Sequence, residues 1–251
     1  MSKKWMIRYA VTTGLTASLL LGSMPLPAAP SAKTVSATPQ TRAFIPDEAY
    51  PAHHWTTPSV SVLIDAGHGG IDGGAFHEDV LEKHINLAIA RKLYLLLRSQ
   101  GVNAVLNRTG DYALSDDNGW HNSRSRHQRD LSQRTELTGE IHTEMLLSLH
   151  VNWSRSPAVR GPLVLHQDNG ESALLAYCIQ DALNVQQNKA YLPRRGKPFY
   201  LLNRVKQPAV IVEMGFISNA EDRAMLTNVH QQTVIASAIA SGVRHYKLLA
   251  H

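Results

Sequence analysis

Metal-capable and acidic side chains stand where apolar segments of the chain end. His68 lies in a glycine-rich turn, DAGHGG, directly after such a segment, His150 lies in SLHVN, and Glu213 lies in VIVEMGF. Glu82 lies where a helix is predicted to begin. Because ligand sites in open α/β sheets form beyond the carboxyl ends of strands, we expect these side chains to converge on one crevice.

Two histidines and carboxylates are the donor set of many zinc hydrolases. Such enzymes hold zinc with two His and one carboxylate, and leave the fourth position to water. Hydrolysis also requires a further carboxylate that acts as a base and proton shuttle. His68, Glu82, His150 and Glu213 match this requirement in type and number.

Structural roles compete with the metal-binding interpretation at each position. A histidine at a strand end is often only hydrogen-bonded, and an acid such as Glu82 stabilises a helix N-terminus without binding anything. Glu78 and His77 lie close enough in sequence to replace Glu82 as a ligand. Glu213 ends an apolar strand, where a structural ion pair is the alternative to a catalytic role.

Strand and helix patterns alternate from residue 60 to the end of the chain. The predicted strands are Val60–Asp65, Val102–Asn107, Met145–Val151, Leu163–His166, Phe199–Arg204 and Ala209–Met214. The predicted helices are Lys83–Gln100, Leu131–Ile141, Ser172–Val185 and Val229–Leu249. This alternation predicts an α/β fold, with a mixed, largely parallel sheet flanked by helices on both faces of a single catalytic domain.

Several spaced motifs of the chain resemble those of the N-acetylmuramoyl-L-alanine amidase type 3 family. They occur in the order Asp65–Ala75, Glu82-Lys83, Arg108-Thr109, Ser148–Asn152 and Pro208–Asn219. The likeness covers roughly Ser61 to Tyr246, and agreement of several motifs in order is far more specific than any single pattern. It identifies 59–251 as the catalytic domain.

The resemblance implies a role for each candidate residue. It implies that His68, Glu82 and His150 hold Zn²⁺, and that Glu213 is the catalytic glutamate. It further implies cleavage of the amide bond between N-acetylmuramic acid and the L-alanine of the stem peptide in peptidoglycan. The segment between His77 and Glu82 lacks the glycines common in the family, which leaves the geometry near Glu82 open.

Within the family, the chain resembles the single-domain amidases that act on the spore cortex, on the basis of its short leader, the lack of a recognisable binding module and the stretch Ser123–Leu137. A non-catalytic peptidoglycan-binding protein, or a zinc peptidase or deacetylase acting on another wall substrate, remain the alternatives. We expect a monomer. The alternative of a partner protein that activates the enzyme or holds it at a membrane is left open. The basic patch Arg194–Lys206 would meet solvent, acidic groups of the substrate, or such a partner.

The N-terminal residues have the pattern of an export signal. Residues 1–37 carry Lys3, Lys4, Arg8 and Lys33 without an acid, and an apolar stretch and small residues follow the first three cations. This pattern predicts a signal peptide or an N-terminal anchor. Residues 38–58 contain four prolines and are interpreted as a linker. The domain is therefore expected outside the cytoplasm, secreted or membrane-anchored, with the intermembrane space of the developing spore as one location.

The net charge and the cysteine content of the chain narrow the class of protein further. The formal net charge is +5, but removing the four cations of residues 1–37 leaves 21 basic against 20 acidic side chains, or +1. Since the basic excess belongs mostly to the leader, no nucleic-acid partner is predicted. Cys178 is the only cysteine, so an internal disulfide is excluded.

Overall fold

The computed structural model describes residues 60–116 and 123–250. The strands within these residues are β1 Val60–Ala66, β2 Phe76–His77, β3 Val80–Leu81, β4 Ala104–Leu106, β5 Thr143–Asn152, β6 Leu163–His166, β7 Arg194–Arg195 and β8 Ala209–Phe216. The α-helices in the same part of the chain are α1 Glu82–Ser99, α2 Arg126–Glu140, α3 Gly170–Gln187, α4 Tyr200–Arg204, α5 Ala220–Thr227 and α6 Val229–Ala250. The predicted leader at 1–37 and linker at 38–58 lie outside the described residues.

One six-stranded sheet organises the domain, in the order β4-β1-β5-β8-β6-β7. The pairs β4–β1, β1–β5 and β5–β8 are parallel, and β6 pairs antiparallel with β8. The mixed, largely parallel sheet predicted from the sequence is therefore confirmed. The parallel centre brings the carboxyl ends of β1, β5 and β8 to the same edge of the sheet.

Helices cover both faces of this sheet unequally. The larger core lies against α1, α3 and α6 and includes Val62, Leu147 and Val212, all without solvent exposure. The smaller core, on the side of α2 and α4, contains Leu63, Leu146 and Ile211 among its members. Because alternate residues of a strand point to opposite faces, Asp65, His150 and Glu213 share the face of α2 and α4.

The prediction of a strand at Phe199–Arg204 is wrong, because this segment forms helix α4. A short apolar run fits either structure, and tertiary packing decided between them. Leu201 and Val205 are four residues apart and lie in the smaller core together with Leu202. The side chain of Asn203 also donates to the carbonyl of Phe199 at 2.8 Å.

Three elements lie outside the sequence predictions: the hairpin β2–β3, the two-residue strand β7 and helix α5. The strands are too short to show periodicity, and α5 has a single usable signal, the capping side chain of Asn219 that accepts from the backbone N–H of Asp222. No helix among the described residues is long and apolar enough to cross a membrane.

Candidate metal centre

The side chains of His68, Glu82 and His150 come together at the carboxyl edge of the sheet. One ligand atom from each lies within 4.8 Å of the others. Glu82 Oε1 lies 3.3 Å from His68 Nε2 and 2.9 Å from His150 Nδ1. The two rings stand nearly perpendicular, with centroids 5.0 Å apart. Two imidazoles and one carboxylate thus form a set that can bind a metal ion.

His68 is positioned by the turn that follows β1. Its backbone adopts a left-handed conformation, with φ of 62°, which is uncommon for a residue other than glycine. Nδ1 of the ring lies 2.8 Å from the Asp72 carboxylate, which leaves Nε2 facing Glu82. Burial lowers the pKa of the ring, but its hydrogen bonds to Asp72 and Glu82 raise that pKa to about 10. Asp72 therefore orients His68, as the outer carboxylates of metal sites commonly do.

Glu82 is the first residue of α1 and is only 3% exposed. Its Oε2 accepts from the backbone N–H of Ala75 at 2.7 Å, and its Oε1 from that of Val151 at 2.9 Å. Burial alone would raise the pKa of this carboxyl, but hydrogen bonds from His150 and His68 hold it well below its usual range. The carboxylate is therefore kept charged for a cation.

The competing acid Glu78 is exposed and is no member of the cluster. It lies at the tip of the β2–β3 hairpin, between His77 and Val80, with φ of 52°. A non-glycine residue here takes the left-handed conformation that a turn requires, so the hairpin closes without the glycines common in the family. The hairpin then leads directly into α1 and Glu82.

Glu213 lies beside His150 in the sheet, since the two residues are direct partners in the parallel β5–β8 pairing. Its side chain is buried, and its Oε2 has no hydrogen-bond partner among the described residues. Burial raises the pKa of this carboxyl to about 7. A buried carboxylate oxygen without a partner is costly unless a ligand or water satisfies it. Glu213 is thus available to exchange a proton in the cleft.

A buried ion pair supports the turn that carries His68, and sequence analysis assigned it no role. Arg134 of α2 pairs with Asp65 and with Asp130, and it also donates to the carbonyl of His68 at 3.0 Å. Asp65 also accepts from the hydroxyl of Ser148 on the neighbouring strand. The separation of 69 residues between Arg134 and Asp65 leaves no sequence signal for their contact.

Two glycines make room for the cluster. A Cβ at Gly67 would lie 2.4 Å from Cε1 of His150, and a Cβ at Gly74 would lie 2.5 Å from Oε2 of Glu82. Gly74 also has φ of 68°, a conformation that side chains disfavour. The backbone is therefore shaped around the His68–Glu82–His150 cluster, as expected for residues that hold a metal ion.

The cluster opens into a cleft of about 530 Å³ on the face of α2 and α4. Glu213 and His150 line it, together with residues of α2 and of the segment around α4. A cleft of this volume is in the range of small-ligand sites. It has room for a substrate beside both the cluster and the unpartnered carboxylate.

Residues 62–245 match the protein family described as N-acetylmuramoyl-L-alanine amidase. The germination-specific N-acetylmuramoyl-L-alanine amidase of Bacillus subtilis is 31% identical over 196 residues, covering 76% of this chain and 82% of that protein. Uncharacterized protein YqiI of the same organism is 30% identical, with 74% of this chain and 84% of that protein covered.

Solved structures with the same fold agree with the sequence relatives. The CwlD amidase of Clostridioides difficile, solved in complex with the GerS lipoprotein, matches with a TM-score of 0.71 and 31% identity over 76% of this chain and 100% of that one. The catalytic domain of CwlV from Bacillus (Paenibacillus) polymyxa var. colistinus matches with a TM-score of 0.63 and 28% identity, over 74% and 97%.

Proposed function

The chain belongs to the N-acetylmuramoyl-L-alanine amidase family, and we propose that it acts as a zinc-dependent hydrolase of spore-cortex peptidoglycan. The bond cleaved is the amide between N-acetylmuramic acid and the L-alanine of the stem peptide. The observation that carries the proposal is the His68–Glu82–His150 cluster with the buried Glu213 beside it. His68, Glu82 and His150 are the proposed zinc ligands, and Glu213 is the proposed base.

The residues of the cleft divide the work of amide hydrolysis. A zinc ion on the cluster would polarise the scissile carbonyl and lower the pKa of a water molecule. Glu213 takes the proton from the attacking water and then donates it to the departing nitrogen, which is a poor leaving group until it is protonated. Asp72 keeps His68 oriented throughout.

Mass spectrometry of purified muropeptides after incubation with the zinc-loaded protein tests this function. An amidase releases stem peptides with a free L-alanine amino terminus and leaves the sugar chain intact. A peptidase produces termini within the peptide, a deacetylase releases acetate, and a binding protein produces no new species. Any of these three results would contradict the amidase proposal.

The zinc proposal predicts that Gly74→Ala weakens metal binding sharply, because its Cβ would press on Oε2 of Glu82 and on the ring of His68 at 2.6 Å. Gly73→Ala is the matched control, since its Cβ would lie at an ordinary 3.5 Å from a Leu81 methyl. Competition with a fluorescent chelator gives both zinc affinities. Equal affinities in the two variants would show that this backbone does not shape the metal site.

Zinc affinity is also expected to rise with pH, by about tenfold per unit between pH 6.5 and 8.5. The pKa of the His68 ring is raised to about 10 in the metal-free protein, so the ring stays protonated below that pH and zinc must displace this proton. The contribution of His68 to the pH dependence of zinc affinity disappears only above the pKa of its ring. Zinc titrations in buffers of different ionisation enthalpy report the proton released, and a flat affinity profile would contradict this expectation.

A cortex role is supported by the relatives named above. Removal of whole stem peptides would leave muramic acid sites free for further modification. In a spore-forming host, a deletion strain should retain stem peptides on cortex muramic acid that the parent strain lacks. Unchanged cortex muropeptides together with an altered vegetative wall would contradict the cortex assignment.

Export by the N-terminal residues is part of the same proposal, with 1–37 acting as a signal peptide or anchor and 38–58 as a linker. A chain that starts at Thr38 is expected to fold and bind zinc when it is made in the cytoplasm, because the elements that carry the cluster all begin at Val60 or later. Circular dichroism and metal content check this. Loss of soluble folded protein would show that the leader belongs to the fold.

A membrane-associated protein partner is part of the same proposal. The CwlD relative was solved in complex with a lipoprotein, and a partner held at the membrane fits an exported enzyme. We propose that the chain is a monomer when it is alone. Light scattering of the purified protein, with and without membrane extracts of the host, tests both statements.

A further inference from the structure

The cleft that holds the metal cluster carries three partly exposed aromatic side chains, Trp153, Phe199 and Tyr200. Their exposed fractions are 54%, 38% and 41%. Aromatic surface gathered in a concave site is characteristic of ligand binding, whereas single exposed aromatics elsewhere need no explanation. We call these three residues the aromatic rim.

The aromatic rim lies close to the proposed reaction centre. Trp153 follows β5 directly and is three residues beyond His150, which an extended chain spans in about 10 Å. Phe199 and Tyr200 begin α4, which packs against β8, the strand of Glu213. The three rings therefore line the same cleft as Glu213.

Contacts within α4 hold the Tyr200 end of the rim. The guanidinium of Arg204, one helical turn further along α4, lies 5.5 Å from the centre of the Tyr200 ring. The carbonyl of Phe199 accepts from Asn203, which fixes the start of the helix. Preordered aromatic rings bind at a low cost in conformational entropy.

The charges of the cleft determine which part of the substrate suits this surface. Carboxylates that line the cleft are Asp65, Asp72, Glu82, Asp130 and Glu213. The one arginine that lines it, Arg134, already pairs with Asp65 and Asp130. Away from the metal cluster, the described lining of the cleft therefore has no free arginine or lysine for the carboxylates of a stem peptide. Arg204, which contacts the rim from outside this lining, is stacked on the Tyr200 ring. An uncharged ring with an apolar face fits better.

A pyranose ring is such a group, because its C–H bonds pack against the electron-rich faces of aromatic rings. The muramic acid ring is joined to the scissile carbonyl through the short lactyl ether, so it must lie beside the metal cluster. We infer that Trp153, Phe199 and Tyr200 form a glycan subsite that binds the muramic acid and an adjoining sugar. This inference rests on the amidase function proposed above.

Two matched ligands test the subsite. The disaccharide muropeptide carries both sugars, and the corresponding lactyl-peptide keeps the scissile amide without them. Calorimetric titrations use the zinc-loaded Glu213→Gln protein. Trp153→Ala and Tyr200→Ala are each expected to weaken muropeptide binding about three- to tenfold and to leave lactyl-peptide binding unchanged.

Three further variants separate stacking from other effects. Trp153→Phe and Tyr200→Phe should retain most of the affinity, since each preserves an aromatic face. Tyr177→Ala removes a ring that is 55% exposed on α3 and lies outside the cleft, and it should change neither affinity. Melting temperatures of all variants verify that the fold is intact.

Equal weakening of both ligands would assign the rim to the stem peptide, and no weakening would remove it from the substrate site; either result overturns the subsite. Digestion of the same muropeptide by the wild-type protein separates this failure from failure of the proposed function. Sugar-dependent binding without release of L-alanine termini would contradict the amidase proposal but not the subsite. Release of those termini without sugar-dependent binding would contradict the subsite but not the amidase proposal.

Discussion

Glu213→Gln is expected to lower turnover on muropeptides about 10²–10⁴-fold, which is the usual contribution of general acid–base catalysis. Zinc content and muropeptide affinity should stay unchanged, because glutamine has the same size and removes only the proton transfer. Metal analysis and turnover on the same protein batch provide the measurement. Glu140→Gln, at an exposed position that ends α2, is a control that should retain full activity.

Two results would contradict this role of Glu213. Full turnover with intact zinc would show that another group moves the proton. Loss of zinc would show that Glu213 is itself a ligand, and a site with four protein ligands would leave no position for water.

The pH profile gives a second test of the same residue. Burial raises the pKa of Glu213 to about 7 in the metal-free protein, and a bound cation would lower it. A base must be deprotonated, so kcat/KM should rise with pH and level off at or below about pH 7. If kcat/KM still rises with pH well above pH 7, a group other than Glu213 is responsible for the rise.

Glu82→Ala is expected to lower zinc affinity about a hundredfold or more, since removing even an outer partner of a ligand costs 10–100-fold. Glu82 contacts both histidine rings, and its loss leaves two ligands. Glu78→Ala is the control, because Glu78 is exposed and lies outside the cluster. Chelator competition on both variants is the measurement. Full zinc binding by Glu82→Ala with loss in Glu78→Ala would reverse the ligand assignment.

Glu82→Ala should also destabilise the metal-free fold, which separates the two functions of this carboxylate. The backbone N–H groups of Ala75 and Val151 would lose their acceptor, at a cost of about 1–3 kcal/mol for each one left buried without a partner. Denaturant titration of the metal-free protein measures this loss. An unchanged unfolding free energy would show that these two hydrogen bonds do not stabilise the metal-free fold.

Local sequence was sufficient for most of the sheet and for the candidate residues. Strand β5 is rich in apolar residues and nearly all of it is buried, and α1 shows a helical period that ends at Gly101. Segment Phe199–Arg204 is the predicted strand that forms a helix instead. Six residues are too few for the periods of a strand and a helix to differ, and only packing of Leu201 and Val205 against the sheet decided for the helix.

The sequence by itself determined the types of the candidate site residues, because His68, Glu82, His150 and Glu213 each lie in a motif that is contiguous along the chain. Only the tertiary structure decided how they are held. The Asp72 carboxylate contacts the His68 ring, and Arg134 donates to the His68 carbonyl. The strength of both contacts depends on distance and burial, which only the folded chain provides. The sequence also did not determine on which face of the sheet the cleft opens. The alternation of side chains along a strand separates the two faces, but it does not show which helices will cover each face.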